Sequence, residues 1–263
     1  MAELTVIISY YKALENLKIL FKALNNQSSR AFEVLLSEDD NNEETALFLK
    51  HKADQYSFTI NHIHQKVDNG FRKNSMLNRA ISIANTSKLA FIDSDCIPHK
   101  HFVKQYILNI DKESFCVGRA VFLDQKKTEV LKKSLALQSL SFWKLLGSKS
   151  TKIKDGIYSP YLPITTKLKG LVGRNWGCTK EALLAINGFD EDYVHAGVGE
   201  DVDVEWRLLE NGLKRKSVKN KAIVYHLHHK RWYITAEERA NYEMMQQKIK
   251  EGHFKCRNGI VKL

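Results

Sequence analysis

The sequence predicts an α/β fold, a mostly parallel sheet flanked by helices within a single domain. Three observations predict it. Short apolar runs alternate with segments of helical period through the first 125 residues. The runs at 4–9 (LTVIIS), 31–37 (AFEVLLS) and 88–92 (KLAFI) are nearly continuous, as strands covered on both faces require. Their β-α-β-α-β-α-β order matches parallel strands joined by helical crossovers.

Each element has a local reason. After the strand at 4–9, Leu14, Leu17, Phe21 and Leu24 share one helical face over 12–24. The strand at 31–37 leads into an acidic, Asn-rich turn and a helix over 43–55. Residues 58–64 (FTINHIH) alternate as a half-buried strand. A helix over 73–85 points Met76, Leu77, Ala80, Ile81 and Ala84 inward, and the strand at 88–92 runs into Asp93. The second half is less regular. A strand is expected at 114–123 and a helix at 129–147, with Leu131, Leu135, Trp143 and Leu146 among its apolar positions. The Lys-rich stretch 148–170 reads as a loop. Thr179 caps a helix that Asn187-Gly188 ends. A helix over 201–211 stops at Gly212, with Val202, Trp206 and Leu209 facing the core. A strand follows at 218–227. Thr235 with Glu238 forms a capping box that opens the last helix.

Composition narrows the function. The 263 residues are 43% hydrophobic and 27% charged, which is ordinary globular usage, and no apolar run is long enough to span a membrane. The N-terminus enters a strand at once, so no signal peptide and a cytoplasmic location are expected. The 41 basic against 30 acidic residues leave a charge of +11, which suits a nucleic acid, an anionic membrane surface or a phosphorylated substrate. Cys96, Cys116, Cys178 and Cys256 are far apart and read as free thiols rather than a disulfide or zinc framework.

Six motifs carry polar chemistry, and ligands of such sheets bind at the strands' carboxyl ends. In Asp93-Ser94-Asp95 the two carboxylates point to one side of an extended chain. One can hold a hard divalent cation and the other a ribose; a polar strand-to-loop turn is the plain alternative. The run Ser37-Glu38-Asp39-Asp40-Asn41-Asn42 offers a carboxylate to a nucleobase, or is a solvated acidic turn before a helix. Asp68-Asn69-Gly70-Phe71-Arg72-Lys73 puts two cations at a helix start, where a diphosphate or only water fits. Gly199-Glu200-Asp201-Val202-Asp203 opens a helix with carboxylates suited to general-base work or to the helix dipole alone, after the Gly-rich approach His195–Gly199. In Tyr225-His226-Leu227-His228-His229, His226 and His228 share a strand face and both could reach a metal. Gly173-Arg174-Asn175-Trp176-Gly177-Cys178 offers either a flat Trp platform for a sugar or a core Trp.

Taken in order over residues 4 to 229, these pieces resemble the inverting glycosyltransferases of family 2, whose glycosyltransferase-A fold is Rossmann-like. Phe91-Ile92-Asp93-Ser94-Asp95-Cys96 is similar to that family's metal and nucleotide motif, and Glu38-Asp39-Asp40-Asn41 stands where Asp-Asp-Gly-Ser is usual. Asn175-Trp176-Gly177, Asn187-Gly188-Phe189-Asp190-Glu191 and Gly199-Glu200-Asp201 resemble the acceptor side of galactosyltransferases and chondroitin-type polymerases.

The resemblance implies the roles. Ser9, Glu38, Asp39, Asp68, Arg72, Lys73, Asp93 and Ser94 meet the nucleotide, with Glu38 or Asp39 on the base and Asp93 on the ribose. Asp95 and His226 hold Mn²⁺ or Mg²⁺. Asp201 is the general base, Glu200 its runner-up, and Asn175, Trp176 and Gly177 meet the acceptor. The implied partners are a UDP-sugar donor and a bacterial surface glycan or lipid-linked acceptor, with peripheral contact to the inner membrane face. The implied organisation is a catalytic domain over 1–229, with nucleotide-binding (1–125) and acceptor-binding (126–229) halves, then a helical extension over 230–263.

Rivals fare worse. A nucleotidyltransferase would want glycines after the first strand, where Ser9-Tyr10-Tyr11-Lys12 has none. No nucleic-acid motif is present, and the acidic clusters would repel a phosphate backbone, so no nucleic-acid partner is expected. A non-catalytic nucleotide- or carbohydrate-binding module would not need both carboxylate pairs.

Overall fold

The computed structural model describes residues 1–161, 168–195, 200–230 and 235–263. The chain runs through β1 (Leu4–Tyr10), α1 (Leu14–Asn25), β2 (Phe32–Glu38), α2 (Glu43–Lys52), β3 (Ile60–His64), α3 (Lys73–Ile83) and β4 (Lys88–Asp93). It continues through β5 (Cys96–Pro98), α4 (Phe102–Asn109), β6 (Ser114–Val117), β7 (Arg119–Phe122), α5 (Gln125–Ser134) and α6 (Phe142–Leu146). The last elements are β8 (Asn175–Thr179), α7 (Lys180–Ala185), α8 (Glu200–Glu210), β9 (Lys214–Ser217), β10 (Ile223–His226) and α9 (Thr235–Glu251).

The main sheet has the order β3-β2-β1-β4-β8-β6-β9. β1 to β4 pair in parallel, β8 is antiparallel to both β4 and β6, and β9 is parallel to β6. The expected α/β architecture is therefore present. Strand alternation divides the core between the two faces. Val6, Ile8, Ala90 and Ile92 pack with Leu17, Leu20, Phe21 and Leu24 of α1. Ile7, Leu89 and Phe91 pack with Leu77, Ala80 and Ile81 of α3. A small sheet, β5-β10-β7, stands beside the main one.

Four expectations for the second half change. The single strand at 114–123 is two strands in different sheets, parted at Gly118. Asn175 sits against this glycine, where a Cβ would come within 2.2 Å of its Nδ2. That Nδ2 donates to the carbonyls of Arg119 and Ala222 (both 2.9 Å), and Oδ1 accepts from Tyr106 Oη (2.6 Å). One side chain thus stitches the seam between the sheets. The helix at 129–147 is α5 and α6, interrupted where Leu135 adopts a left-handed φ of 52°. α5 starts early because Asp124 accepts from the Lys127 N–H (2.9 Å), and Trp143 on α6 is 79% exposed rather than inward. The strand at 218–227 contracts to β10, and β5 with α4 fills a stretch that carried no assignment.

The fourth change is the phase of α8. Val204 and Leu208 are its buried apolar residues, and Val202 is 40% exposed. A buried ion pair sets this phase: Asp203 Oδ2 accepts from Arg207 Nε at 2.8 Å. Arg207 Nη1 then donates to the carbonyls of Ile186 (3.0 Å) and Gly188 (2.7 Å), satisfying the end of α7. Asn187 and Gly188 there have positive φ, as the expected stop requires.

Residues past β10 pack on this corner. Asn187 Nδ2 donates to the carbonyls of Cys256 and Val261, and Lys248 pairs with Asp190 (2.5 Å) and Asp192 (2.6 Å). The capping box at Thr235 depends on a side chain outside the described set. Among the described residues, no helix is long and apolar enough to cross a membrane.

The buried pair predicts a stability effect. Asp203→Ala leaves the Arg207 guanidinium uncompensated and should cost about 3–5 kcal/mol, read from the midpoint of urea unfolding. An unchanged midpoint would show that the pair does not hold α8 in place.

Candidate active site

Parallel register gathers the first group of polar residues. Ser9 lies opposite both Ser37 and Asp93, and Tyr10 opposite Glu38, so three strands end on one edge. The Ser94 N–H closes the edge by donating to the Ser9 carbonyl (3.0 Å). Glu38 is fully buried, with Oε2 bonded to His62 Nε2 at 2.6 Å. Asp39 accepts from Gln65 Nε2 (2.7 Å) and from the Arg72 N–H (3.0 Å to Oδ2). Burial outweighs these bonds and pushes its carboxyl up to about 6. Asp68 bonds Lys12 Nζ at 2.8 Å, which holds its carboxyl below the ordinary range. Gly70, at φ 67°, makes the turn that brings Arg72 back to Asp39. The Arg72 side chain turns away onto the Phe71 carbonyl (2.8 Å).

Lys73, the first residue of α3, reaches across the site. Its Nζ lies 3.3 Å from Asp93 Oδ1 and 2.8 Å from Glu200 Oε1, on the first residue of α8. Burial works against its charge, but Asp93 and Glu200 outweigh burial and raise its pKa. Burial also raises the pKa of Glu200, against the pull of Lys73. Asp201 is only partly buried; its Oδ2 accepts from the Gly173 N–H at 3.0 Å. Ser9, Lys73, Asp93, Gly173, Glu200 and Asp201 all line one narrow cleft. The expected nucleotide and base motifs thus meet, although Lys73 is held by carboxylates rather than left free for phosphate.

The small sheet builds the second group. His226 of β10 lies opposite Cys96 of β5, and the Leu227 N–H donates to the Asp95 carbonyl (2.8 Å). Asp95 Oδ2 is then 3.4 Å from His226 Nε2 and 3.1 Å from His229 Nε2. Burial alone would raise the Asp95 pKa, but the bond to His229 and the charge of both imidazoles lower it. Burial lowers the His226 pKa, which favours the neutral imidazole that ligates metals. His229 Nδ1 lies 3.0 Å from the Lys230 carbonyl and Nε2 3.1 Å from Asp95 Oδ2, so both ring nitrogens face acceptor oxygens. One carboxylate and two imidazoles converging in this way fit a divalent cation of the Mn²⁺ kind. Ligand atoms of Asp95, Cys96 and His226 all lie within 4.8 Å of one another, but burial raises the Cys96 thiol far above its usual range and keeps it protonated.

Two expectations are corrected. His228 is exposed and its N–H donates to Thr128; His229 takes the place proposed for it. The strand ends at His226, so strand alternation no longer decides which later His returns. Asn175, Trp176 and Gly177 are buried rather than an open acceptor platform, although Trp176 lines the cleft with Asp201. Asn175 is committed to the seam, and Trp176 stacks on Phe91 (centroids 4.3 Å apart, planes at 9°). A Cβ on Gly177 would lie 2.6 Å from the Leu89 carbonyl, so the glycine is there for packing. The sequence reading missed His229 and the Gly173 amide; a third histidine after the strand was the one visible signal. Ala196–Gly199 of the Gly-rich approach, 162–167 of the Lys-rich stretch and 231–234 lie outside the described residues.

Comparisons with known proteins place this geometry. The model of glycosyl transferase family 2 matches residues 5–181, and that of the N-terminal domain of galactosyltransferase matches 157–230. No curated protein sequence matches the chain. Among solved structures, TarS (residues 1–349) of S. aureus with UDP-GlcNAc is similar at TM-score 0.65 and 14% identity, over 94% of this chain and 66% of that one. The mannosyltransferase PcManGT of Pyrobaculum calidifontis, with GDP-Man and Mn²⁺, gives 0.62 and 14%, over 95% and 64%. GalNAc-T7, with UDP, GalNAc and Mn²⁺, gives 0.64 and 13%, over 94% and 48%. At these identities the likeness is one of fold. The chain spans less than two thirds of the length of these three structures.

Asp39 gives a pH test. The folded chain holds its proton up to about pH 6, whereas an unfolded aspartate releases it near the ordinary value of 3.8. The stabilisation is therefore fully present below the ordinary value and lost as pH rises through the folded one. Relative to Asp39→Asn, the wild-type chain should lose up to about 3 kcal/mol across that window and stay level above it. Urea unfolding of both proteins across the window reads this, and a pH-independent difference would refute it.

Proposed function

The chain belongs to glycosyl transferase family 2, and on that premise we propose that it moves a hexose or N-acetylhexosamine from a UDP-sugar to a hydroxyl of a surface glycan or lipid-linked acceptor, with Mn²⁺ or Mg²⁺ and inversion at the anomeric carbon. The observation that carries the reading is the Lys73 bridge, which sets Asp93 of the nucleotide edge beside Glu200 and Asp201 at the start of α8. A donor sugar lying in that cleft has the nucleotide edge on one side and a carboxylate base on the other.

Each side chain has a task. Glu38 is fully buried with Oε2 on His62, and Asp39, joined to the Gly70 turn through Arg72, is the residue we assign to the base. Ser9 and Asp93 face the ribose, with Ser94 fixing the edge. Asp95 and His226 would hold the cation, and His229 would join them. When bound, the cation offsets charge that develops on the diphosphate leaving group. Asp201, fixed by the Gly173 amide, takes the proton of the attacking acceptor hydroxyl. Glu200, held by Lys73, orients the acceptor and leaves the proton transfer to Asp201. Arg72 can swing from the Phe71 carbonyl toward phosphate.

The same reading keeps a catalytic domain over 1–229 and an extension over 230–263. It also keeps peripheral contact with an anionic membrane in the cytoplasm. Exposed Trp143 and Leu146 beside Lys144 favour that contact, because an aromatic side chain among lysines suits a lipid interface. The second reading, a binding module without turnover, leaves the Asp201–Gly173 bond without a purpose.

Isothermal titration of UDP into the protein, with Mn²⁺ and then with EDTA, tests the assignment. Micromolar, metal-dependent binding is expected, and Asp95→Ala should abolish the metal dependence. Binding of GDP in place of UDP would replace the donor. Asp201→Asn should bind UDP normally and lose about 10²–10⁴-fold in turnover. Full turnover by Asp201→Asn would overturn the choice of base.

A further inference from the structure

A second recess adjoins the site and shares Phe122 with the metal centre. The Phe122 ring lies 5.1 Å from the His226 ring. It also lies 4.5 Å from Lys152 Nζ and 5.3 Å from the Arg174 guanidinium carbon. Those two cations, with Arg119 and Lys169, line the recess around Phe122 and a single acid, Asp155. Asp155 is already paired with Lys219 at 3.0 Å. Among the described residues, no carboxylate pairs with Lys152, Lys169 or Arg174. Four cations therefore face one recess with a single acid, itself paired with Lys219, an excess of positive charge that costs repulsion unless an anion completes it.

The recess is held in place. The Phe122 N–H and carbonyl bond Thr151 on both sides (3.1 and 2.8 Å), fixing the approach to Lys152. Arg119 donates to the carbonyls of Gly118 (2.6 Å) and Gly170 (2.9 Å), which sets its position without a carboxylate bonded to it. The segment that follows Gly170 is shared with the cleft. Val172 and Arg174 line the recess, while Gly173 between them lines the cleft and donates to Asp201. Leu171 is tied to Glu205 of α8 at 2.6 Å. An anion in the recess thus sits against the segment that aims the base.

We propose that this recess is an anion subsite for the acceptor, taking a phosphate or phosphodiester group carried near the hydroxyl that is glycosylated. That the anion belongs to the acceptor rests on the glycosyl-transfer reading; that the recess binds phosphate does not. The donor diphosphate is the other source of the same chemistry, but Asp95, His226 and His229 already provide for it.

Glycerol phosphate is the probe, titrated into the full chain in EDTA, where the metal centre contributes nothing. The wild type should bind it, and the Lys152→Gln/Lys169→Gln double variant about tenfold or more weakly. Glycerol itself should not bind. UDP affinity with Mn²⁺ should agree within about twofold between the two proteins. Glycerol phosphate binding that is absent from the wild type, or unchanged in the variant, would overturn the subsite. A parallel loss of UDP affinity would assign the cations to the donor and overturn the acceptor assignment. If the wild type bound no nucleotide at all, the functional reading would fail while the EDTA titration still decided whether the recess binds phosphate.

Discussion

One ammonium group, Lys73 Nζ, joins the parts of this molecule that have to act together. It is half-buried at the start of α3, between Asp93 at the end of β4 and Glu200 at the start of α8. Three carboxylates, Asp93, Glu200 and Asp201, crowd the cleft, and in a partly desolvated site they would repel one another strongly. The lysine offsets part of that cost and fixes α8 against the sheet. It pairs with Glu200, while Asp201 bonds the Gly173 amide, so the two adjacent acids are held by different partners.

The sheet and the small sheet supply the remaining geometry. Parallel register brings Ser9, Glu38 and Asp93 to one edge without any special contact. The Asp95–His226 group needs more, because its residues come from segments far apart in sequence. The pairing of β5 with β10 joins them, and Asn175 binds that sheet to the main one through the carbonyls of Arg119 and Ala222. Asn175 therefore supports the site from behind instead of touching a substrate.

Much of this was legible in the sequence, and the boundary has physical causes. The first half reads clearly because its strands are covered on both faces and its helices carry one apolar stripe. The carboxylates at 93, 95, 200 and 201 stood out because acids at strand ends and helix starts need a reason. The second half was harder. Gly118 parts two strands because of the Asn175 side chain, a contact that no local pattern encodes. The phase of α8 follows a buried Asp203–Arg207 pair, which apolar periodicity treats as surface. His229 was overlooked because strand alternation was extended past the point where β10 ends. Trp176 offered two readings of equal standing, and packing on Phe91 selected the core.

The central claim is that the nucleotide edge, the Asp95–His226 centre and the Asp201 base serve one donor in one cleft. Diffraction from crystals grown with UDP and Mn²⁺, collected at the manganese absorption edge, tests it most directly. The account predicts an anomalous peak on Asp95 and His226, with the diphosphate beside it and the uracil near Asp39. Manganese bound elsewhere, or a nucleotide lying away from Asp93, would contradict it.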